Sequence, residues 1–223
     1  MNEFRIFPDA EAVAQAAADF LNDQITSCVN EKSICHVALP GGSTPARCLE
    51  LLSCKHLPWS SIHWYVGDER CYPVAHPERN DTMIAQQLWS RIETPMDNLH
   101  PIPAELGPEL AAEKYATLIN QIGRLDIVVL GIGEDGHTAS LFPGNPALDN
   151  EQSVVPVYDA PKPPPQRVSL GLATIQAAGQ RIVLVSGSGK REAMANIEQG
   201  IQLPVSRIGP ARWFVDEAAA YNK

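Results

Sequence analysis

Four short apolar runs each end directly in glycine-rich polar sequence. This repeated junction constrains the fold more than any other feature of the chain. Residues 34–39 run into Pro40-Gly41-Gly42-Ser43-Thr44, and residues 62–66 into Gly67-Asp68-Glu69-Arg70. Residues 125–130 run into the loop from Gly131 to Thr138, and residues 182–185 into Ser186-Gly187-Ser188-Gly189-Lys190. Short apolar runs closed by glycine read as buried strands. Helical segments lie between them. The alanine-rich residues 10–21 follow Asp9, a good N-cap. Thr44 caps the next helix with Pro45 at its first position. Residues 81–91, 108–122, 173–178 and 190–198 read as further helices. Residues 154–157, 168–170 and 213–215 read as short strands, and Lys162-Pro163-Pro164-Pro165 as a stiff loop. Strands alternating with helices predict an α/β fold with a mainly parallel sheet covered on both faces. With no repeat, low-complexity tract or linker, residues 1–223 are expected to form a single domain.

Charge and cysteine usage exclude several classes of function. Seventeen Lys and Arg face 26 Asp and Glu, a formal net charge of −9. Such a surface repels nucleic acid and anionic lipid, so neither is an expected partner. A small anionic substrate would need a local cluster of basic residues. At 44% hydrophobic residues there is ample material for a core. No uncharged apolar run approaches the roughly 18 residues of a membrane span, and no apolar signal segment precedes Pro8. The five cysteines are odd in number and lack a CxxC pair. They read as buried free thiols in a soluble cytoplasmic protein.

In a parallel sheet the C-terminal strand ends share one edge, and ligands bind in the crevice outside it. The four glycine-rich stretches should therefore converge on one site. Gly41, Gly42, Ser43 and Thr44 have the character of an anion cradle, because glycine admits close backbone approach and a helix N-terminus follows. Gly131, Gly133 and Gly136 fit the dinucleotide pattern GxGxxG. Only six residues separate Gly136 from Pro143, too few for the helix that pattern needs, and Glu134 and Asp135 would repel a phosphate. The Gly187-to-Lys190 turn lacks the spacing and the Ser or Thr of a P-loop, but Lys190 can still act as a point charge toward phosphate. No GxSxG elbow, HExxH or paired Cys/His spacing is present. Of six histidines, His137 alone sits in a glycine-rich loop beside two carboxylates, where an imidazole suits general-base work. His36, His56, His63, His76 and His100 read as structural or exposed.

The stretch Gly131 through Gly144, GIGEDGHTASLFPG, resembles the signature of the 6-phosphogluconolactonases. Pro40 through Pro45, Trp64 through Arg70, Pro163 through Val168, Ser186 through Lys190 and Trp213 through Asp216 resemble that family's other motifs, in order. Arg79 departs from the pattern, where the family often has Ser. The resemblance implies a Rossmann-like αβα sandwich shared with amino-sugar phosphate deaminases. It also implies hydrolysis of 6-phospho-D-glucono-1,5-lactone in the oxidative pentose phosphate pathway, without cofactor or catalytic metal. His137 would be the general base on water, and Arg70 would steady the substrate or the developing negative charge. Asp68 would orient Arg70 or His137. Gly41, Gly42, Ser43, Thr44, Arg167 and Lys190 would surround the phosphate. Asp135 would either hold the His137 tautomer or cap the turn. The expected assembly is a monomer or small homo-oligomer.

Two rival readings remain. An amino-sugar phosphate deaminase would carry a glutamate five residues after the histidine, where this chain has Phe142, and Asp-Glu-Tyr at Asp68-Glu69-Arg70. A non-catalytic sugar-phosphate sensor would have no use for His137, Asp68 and Arg70 together.

Overall fold

The computed structural model describes residues 2–220. Met1 and residues 221–223, the ends of the expected domain, lie outside the described residues. The chain opens with β1 (Glu3–Phe7), a strand the sequence reading missed. Then α1 (Ala10–Lys32) starts at Asp9, whose carboxylate accepts the Ala12 amide at 2.8 Å. It runs far past the expected end at residue 21. Val13, Ala17, Leu21 and Ile25 continue one buried stripe at helical spacing, and left-handed Ser33 (φ 68°) ends it.

β2 (Cys35–Leu39) leads into α2 (Ser43–Ser53). Gly42, not Thr44, is the N-cap of α2. It sits at φ 103° and has no side chain to bond the free amides, and Pro45 is the third helical residue. The Thr44 hydroxyl instead bonds the Ser186 hydroxyl. β3 (Ile62–Val66) is followed at once by β4 (Asp68–Arg70), so the expected ligand loop is itself a strand. α3 (Asn80–Gln87) is shorter than expected, since residues 89–91 form a separate 3-10 turn. β5 (Leu99–His100) precedes α4 (Pro108–Ile122), which has the expected bounds, and β6 (Ile127–Gly131). β7 (Val154–Val157), β8 (Arg167–Leu170), α5 (Leu172–Ala177) and β9 (Gln180–Val185) follow. A 3-10 turn over Ser188–Lys190 leads into α6 (Arg191–Glu198), and β10 (Arg212–Asp216) closes the fold.

Seven strands form one wholly parallel sheet in the order β1-β10-β9-β6-β2-β3-β5. This is the Rossmann-like architecture expected. β7 and β8, read from sequence as short strands, belong with β4 to a small antiparallel sheet in the order β4-β8-β7. α1 packs across β10, β9 and β2, with α2 beside it. α4 packs on the small sheet, and its buried Tyr115 hydroxyl donates to the Val66 carbonyl and accepts the Val66 amide. Trp64, Trp213, Tyr65 and Phe214 are the bulkiest parts of the core. Cys35 and Cys48 are buried as expected, whereas Cys28 and Cys71 are half-buried and Cys54 is exposed. Among the described residues no helix is long and apolar enough to cross a membrane.

Strand order reverses between β2 and β6. From β2 the chain builds outward through β3 and β5, and from β6 it builds the other way through β9 and β10. Such a reversal leaves a crevice outside the C-terminal strand ends. Both of its walls are glycine loops, Gly41-Gly42 after β2 and Gly131 to Gly133 after β6.

Register also gathers three histidines that are far apart in sequence. His36 pairs with His63 across β2 and β3, and the His63 and His100 ring nitrogens lie 3.0 Å apart. Burial lowers the affinity of all three for protons, aided at His36 and His100 by neighbouring imidazoles, and His100 falls to about 4. Below the unfolded value near 6.5 these rings hold fewer protons folded than unfolded. The stability they allow is complete above that value and is lost as pH falls toward 4. The urea midpoint is therefore expected to drop between pH 7 and pH 5, and to drop less in a His63→Phe variant. An equal drop in both proteins would reject the histidine cluster as its source.

Candidate active site

The crevice at the strand-order reversal is a cavity of about 460 Å³. Gly41, Gly42, Asp68, Arg70, His137, Arg167 and Lys190 all line it, so seven of the nine residues singled out from sequence meet there. Ser43 and Thr44 do not line it. Ser43 is exposed at the head of α2, and Thr44 is turned to Ser186. Two larger grooves hold mainly carboxylates, Glu109, Glu113 and Glu151 with Arg124 in one and Asp135 and Asp159 in the other, and neither gathers a cluster of cations.

His137 is held by its own loop. Its ring Nδ1 lies 2.5 Å from Asp135 Oδ1, which also accepts the His137 backbone amide at 3.1 Å. A carboxylate only accepts, so Nδ1 carries a proton, which leaves Nε2 as the nitrogen that can act as a base in the neutral ring. Asp135 thus reaches both the ring and the turn amide, the contacts that its two alternative roles would use. Burial alone would raise its carboxyl, but the hydrogen bond and charge of His137 outweigh that and hold it down at about 2. The loop closes through the Gly133 amide donating to the His137 carbonyl at 2.8 Å. A Cβ on Gly133 would come within 1.9 Å of the imidazole, so only glycine admits the ring. No helix follows this loop; the chain continues into a bridge between Thr138 and Leu141. The glycine pattern therefore has no dinucleotide geometry.

Two arginines face the cavity without carboxylate partners. β4 and β8 pair antiparallel, which sets Arg70 directly opposite Arg167. Like charges placed so are unfavourable. Among the described residues neither guanidinium has an ion pair. Arg70 donates to the Glu78 carbonyl, and its buried Nε has no partner. Arg167 is 5% exposed. It donates to the carbonyls of Lys162 (2.8 Å), Pro163 (3.3 Å) and Pro164 (3.2 Å) and stacks over Phe142. Burial lowers the proton affinity of Arg167; the charge of Asp68 works against this, and that of Arg70 adds to it. Desolvated cations with only neutral acceptors form a site for an anion. The uncapped start of α2 and Lys190 add positive potential on the same cavity.

Asp68 does not contact Arg70 or His137 as expected. Its carboxylate accepts from the Ser140 hydroxyl (2.6 Å) and from Asn80 Nδ2 (3.3 Å). It therefore ties β4 to the far end of the His137 loop. Its neighbour Glu69 points the other way and is 0% exposed. Glu69 accepts three backbone amides at 2.8 Å, from Arg70, Asn80 and Asp81, and burial pushes its carboxyl up to about 7.

Asn80, Lys162 and Phe142 line the cavity but were not proposed from sequence as binding residues. Lys162 was read only as part of a stiff loop, although the loop carries two cations within six residues, Lys162 and Arg167. Asn80 gave no signal of its own. It fits because Gly41 leaves room, and a Cβ there would lie 1.9 Å from the Asn80 amide oxygen.

Known proteins with similar chains agree on the family of this one. The family glucosamine-6-phosphate isomerases/6-phosphogluconolactonase matches residues 8–217. The 6-phosphogluconolactonase of Mycobacterium tuberculosis is 34% identical, over 98% of this chain and 97% of its own. The rabbit GDH/6PGL endoplasmic bifunctional protein is 38% identical over 93% of this chain, which spans 26% of that relative's length. The crystal structure of the Thermotoga maritima 6-phosphogluconolactonase superposes with a TM-score of 0.91 at 26% identity, covering 97% of this chain and 100% of that one.

Substituting Gly133 by Ala is expected to separate His137 from Asp135. Carboxyl titration by NMR would then show Asp135 moving from about 2 back toward the ordinary value of 3.8. An unmoved titration would mean that the loop tolerates a Cβ and that the pair does not depend on Gly133.

Proposed function

The chain belongs to the glucosamine-6-phosphate isomerase/6-phosphogluconolactonase family, and from its cavity we propose that it hydrolyses 6-phospho-D-glucono-1,5-lactone to 6-phospho-D-gluconate. The observation that carries this reading is the pair Arg70 and Arg167, neither in an ion pair among the described residues, beside an imidazole whose Nδ1 is held by Asp135. The substrate presents an anion in its phosphate, and a second develops on the lactone carbonyl oxygen during attack. One cation answers to each.

His137 Nε2 takes a proton from water as that water attacks C1. The resulting imidazolium is steadied by Asp135, and it returns the proton to the ring oxygen as the C1–O bond breaks. General-base assistance of this kind is worth about 10²–10⁴-fold. Arg70 stabilises the tetrahedral oxyanion, a role worth about 2.7–4 kcal/mol for a well-placed donor. Arg167, Lys190 and the α2 start at Gly41-Gly42 hold the phosphate. Their binding energy orients the ring rather than acting at the reacting carbon. Asp68 and Asn80 keep β4 in place through their mutual hydrogen bonds. Free cysteines suit a reducing cytosol, and we assign the reaction to the oxidative pentose phosphate pathway.

The aldose–ketose chemistry of the amino-sugar phosphate deaminases needs a further acid-base group beside the histidine. Phe142 occupies that position, with its ring 4.5 Å from His137 between centroids. An apolar ring cannot move a proton to or from an opening sugar.

Lactone generated in place from glucose 6-phosphate, with product followed by 6-phosphogluconate dehydrogenase, tests the assignment. The wild type is expected to exceed spontaneous opening, and His137→Ala to lose about 10²-fold or more. Equal rates would move the base role elsewhere, and a wild type at background would end the lactonase reading. Glucosamine 6-phosphate is expected to release no ammonia; measurable release would favour the deaminase.

A further inference from the structure

Arg79 is the most buried cation of the fold, 2% exposed, and it lies outside the cavity lining. A buried arginine away from the site is costly unless its donors are satisfied. Here all its nitrogens are engaged. Nε and Nη2 fork onto Asp81 at 2.6 to 3.1 Å, and Nη1 reaches Glu105 at 3.1 Å. Nη1 also donates to the Tyr72 carbonyl (3.0 Å) and Nη2 to the Ile102 carbonyl (2.9 Å). Glu69 completes the node with an oxygen 3.9 Å from Arg79 Nε. The node thus clasps the segment after β4, the first turn of α3 and the stretch before α4.

What flanks Arg79 matters most. The Glu78 carbonyl, one residue before it, accepts the Arg70 guanidinium. Asn80, one residue after it, donates to the Asp68 carbonyl at 2.7 Å and packs on Gly41. Glu69, between Asp68 and Arg70, accepts the backbone amides of both Arg70 and Asn80. Residues 78 and 80 therefore hold the two charged side chains of β4 that line the cavity, and Arg79 between them is buried and bonded to Asp81, Glu105 and the Tyr72 and Ile102 carbonyls.

We propose that Arg79 is a positioning residue: through the Glu78 carbonyl it sets the guanidinium of Arg70, and so the cation on which oxyanion stabilisation depends. The role rests on the lactonase reading for its chemistry, but not for its geometry. An arginine that acts only by holding another should matter only while that other is present. A residue that merely supports the fold should matter regardless.

A double-mutant cycle separates the two cases. Arg79→Met keeps the length and removes the donors, and Arg70→Ala removes the group said to be positioned. Each is measured alone and combined, for kcat and KM of the lactone and for calorimetric binding of 6-phosphogluconate, whose carboxylate is the product anion. Arg79→Met is expected to lower kcat about tenfold, more than it raises KM, and to weaken product binding, while adding nothing to either in the Arg70→Ala background. Additive losses in both backgrounds would overturn the proposal and leave the lactonase reading intact. Coupled losses in product binding without any wild-type turnover would end the lactonase reading and leave the positioning role standing. A wild type that neither turns over nor binds would overturn both. If Arg79→Met does not fold, Glu105→Gln serves instead, because Glu105 is one-third exposed and gives Arg79 only one of its partners. The same coupling at smaller amplitude is then expected, and none would reject the role.

Discussion

Parallel strands carry all their C-terminal ends to one edge, and everything at the site depends on where along that edge the order reverses. The reversal between β2 and β6 leaves a gap that no crossover connection covers. Two backbone loops meet there with glycine at their closest approaches. Gly41 makes room for Asn80, and Gly133 makes room for the imidazole of His137. Either substitution would drive a side chain out of its hydrogen bonds, because each Cβ would sit within 2 Å of Asn80 or His137. The glycines are thus packing requirements of the site rather than aids to turning.

The small antiparallel sheet supplies the charge. β4 leaves the main sheet immediately after β3 and pairs with β8, a strand from a hundred residues later. That pairing puts two arginines face to face with no carboxylate between them. In most proteins such an arrangement would be relieved by an acid. Here Asp68 and Glu69 both lie on the same short strand, yet each is committed elsewhere, Asp68 to Ser140 and Asn80, and Glu69 to three backbone amides. The local excess of positive charge survives within an acidic chain because the neighbouring carboxylates are already occupied.

Much of this was legible in the sequence because the relevant signals are local. The glycine junctions, the loop of His137 with Asp135 two residues before it, and the short apolar runs all act over a few residues. α4 began at Pro108 and ended before Gly123 as read, since proline and glycine mark helix ends directly. Failures occurred where tertiary partners decide. β1 is polar on alternate residues and becomes a strand only by pairing with β10. α1 outran its expected end because past Leu21 its buried stripe continues on Ile25 alone, a weak pattern in sequence. Thr44 had the residue type of a cap, but a contact with Ser186, 142 residues away, took its hydroxyl.

The sequence by itself determined the alternating α/β layout, the sheet edge at which the glycine loops gather, and the histidine that sits in one of them, while the role of Asp135 stayed open. Each follows from short-range periodicity or from residues in one loop. Only the tertiary structure decided which of the candidates face one another. Arg70 meets Arg167 because of an antiparallel register between distant segments, and Asp68 turns to Ser140 rather than to Arg70 because the His137 loop folds back over β4. Arg79 shows the limit most clearly. Read along the chain it is one charged residue between Glu78 and Asp81. Its burial depends on more than Asp81 two residues on, because Glu105 and the Tyr72 and Ile102 carbonyls reach it from other segments.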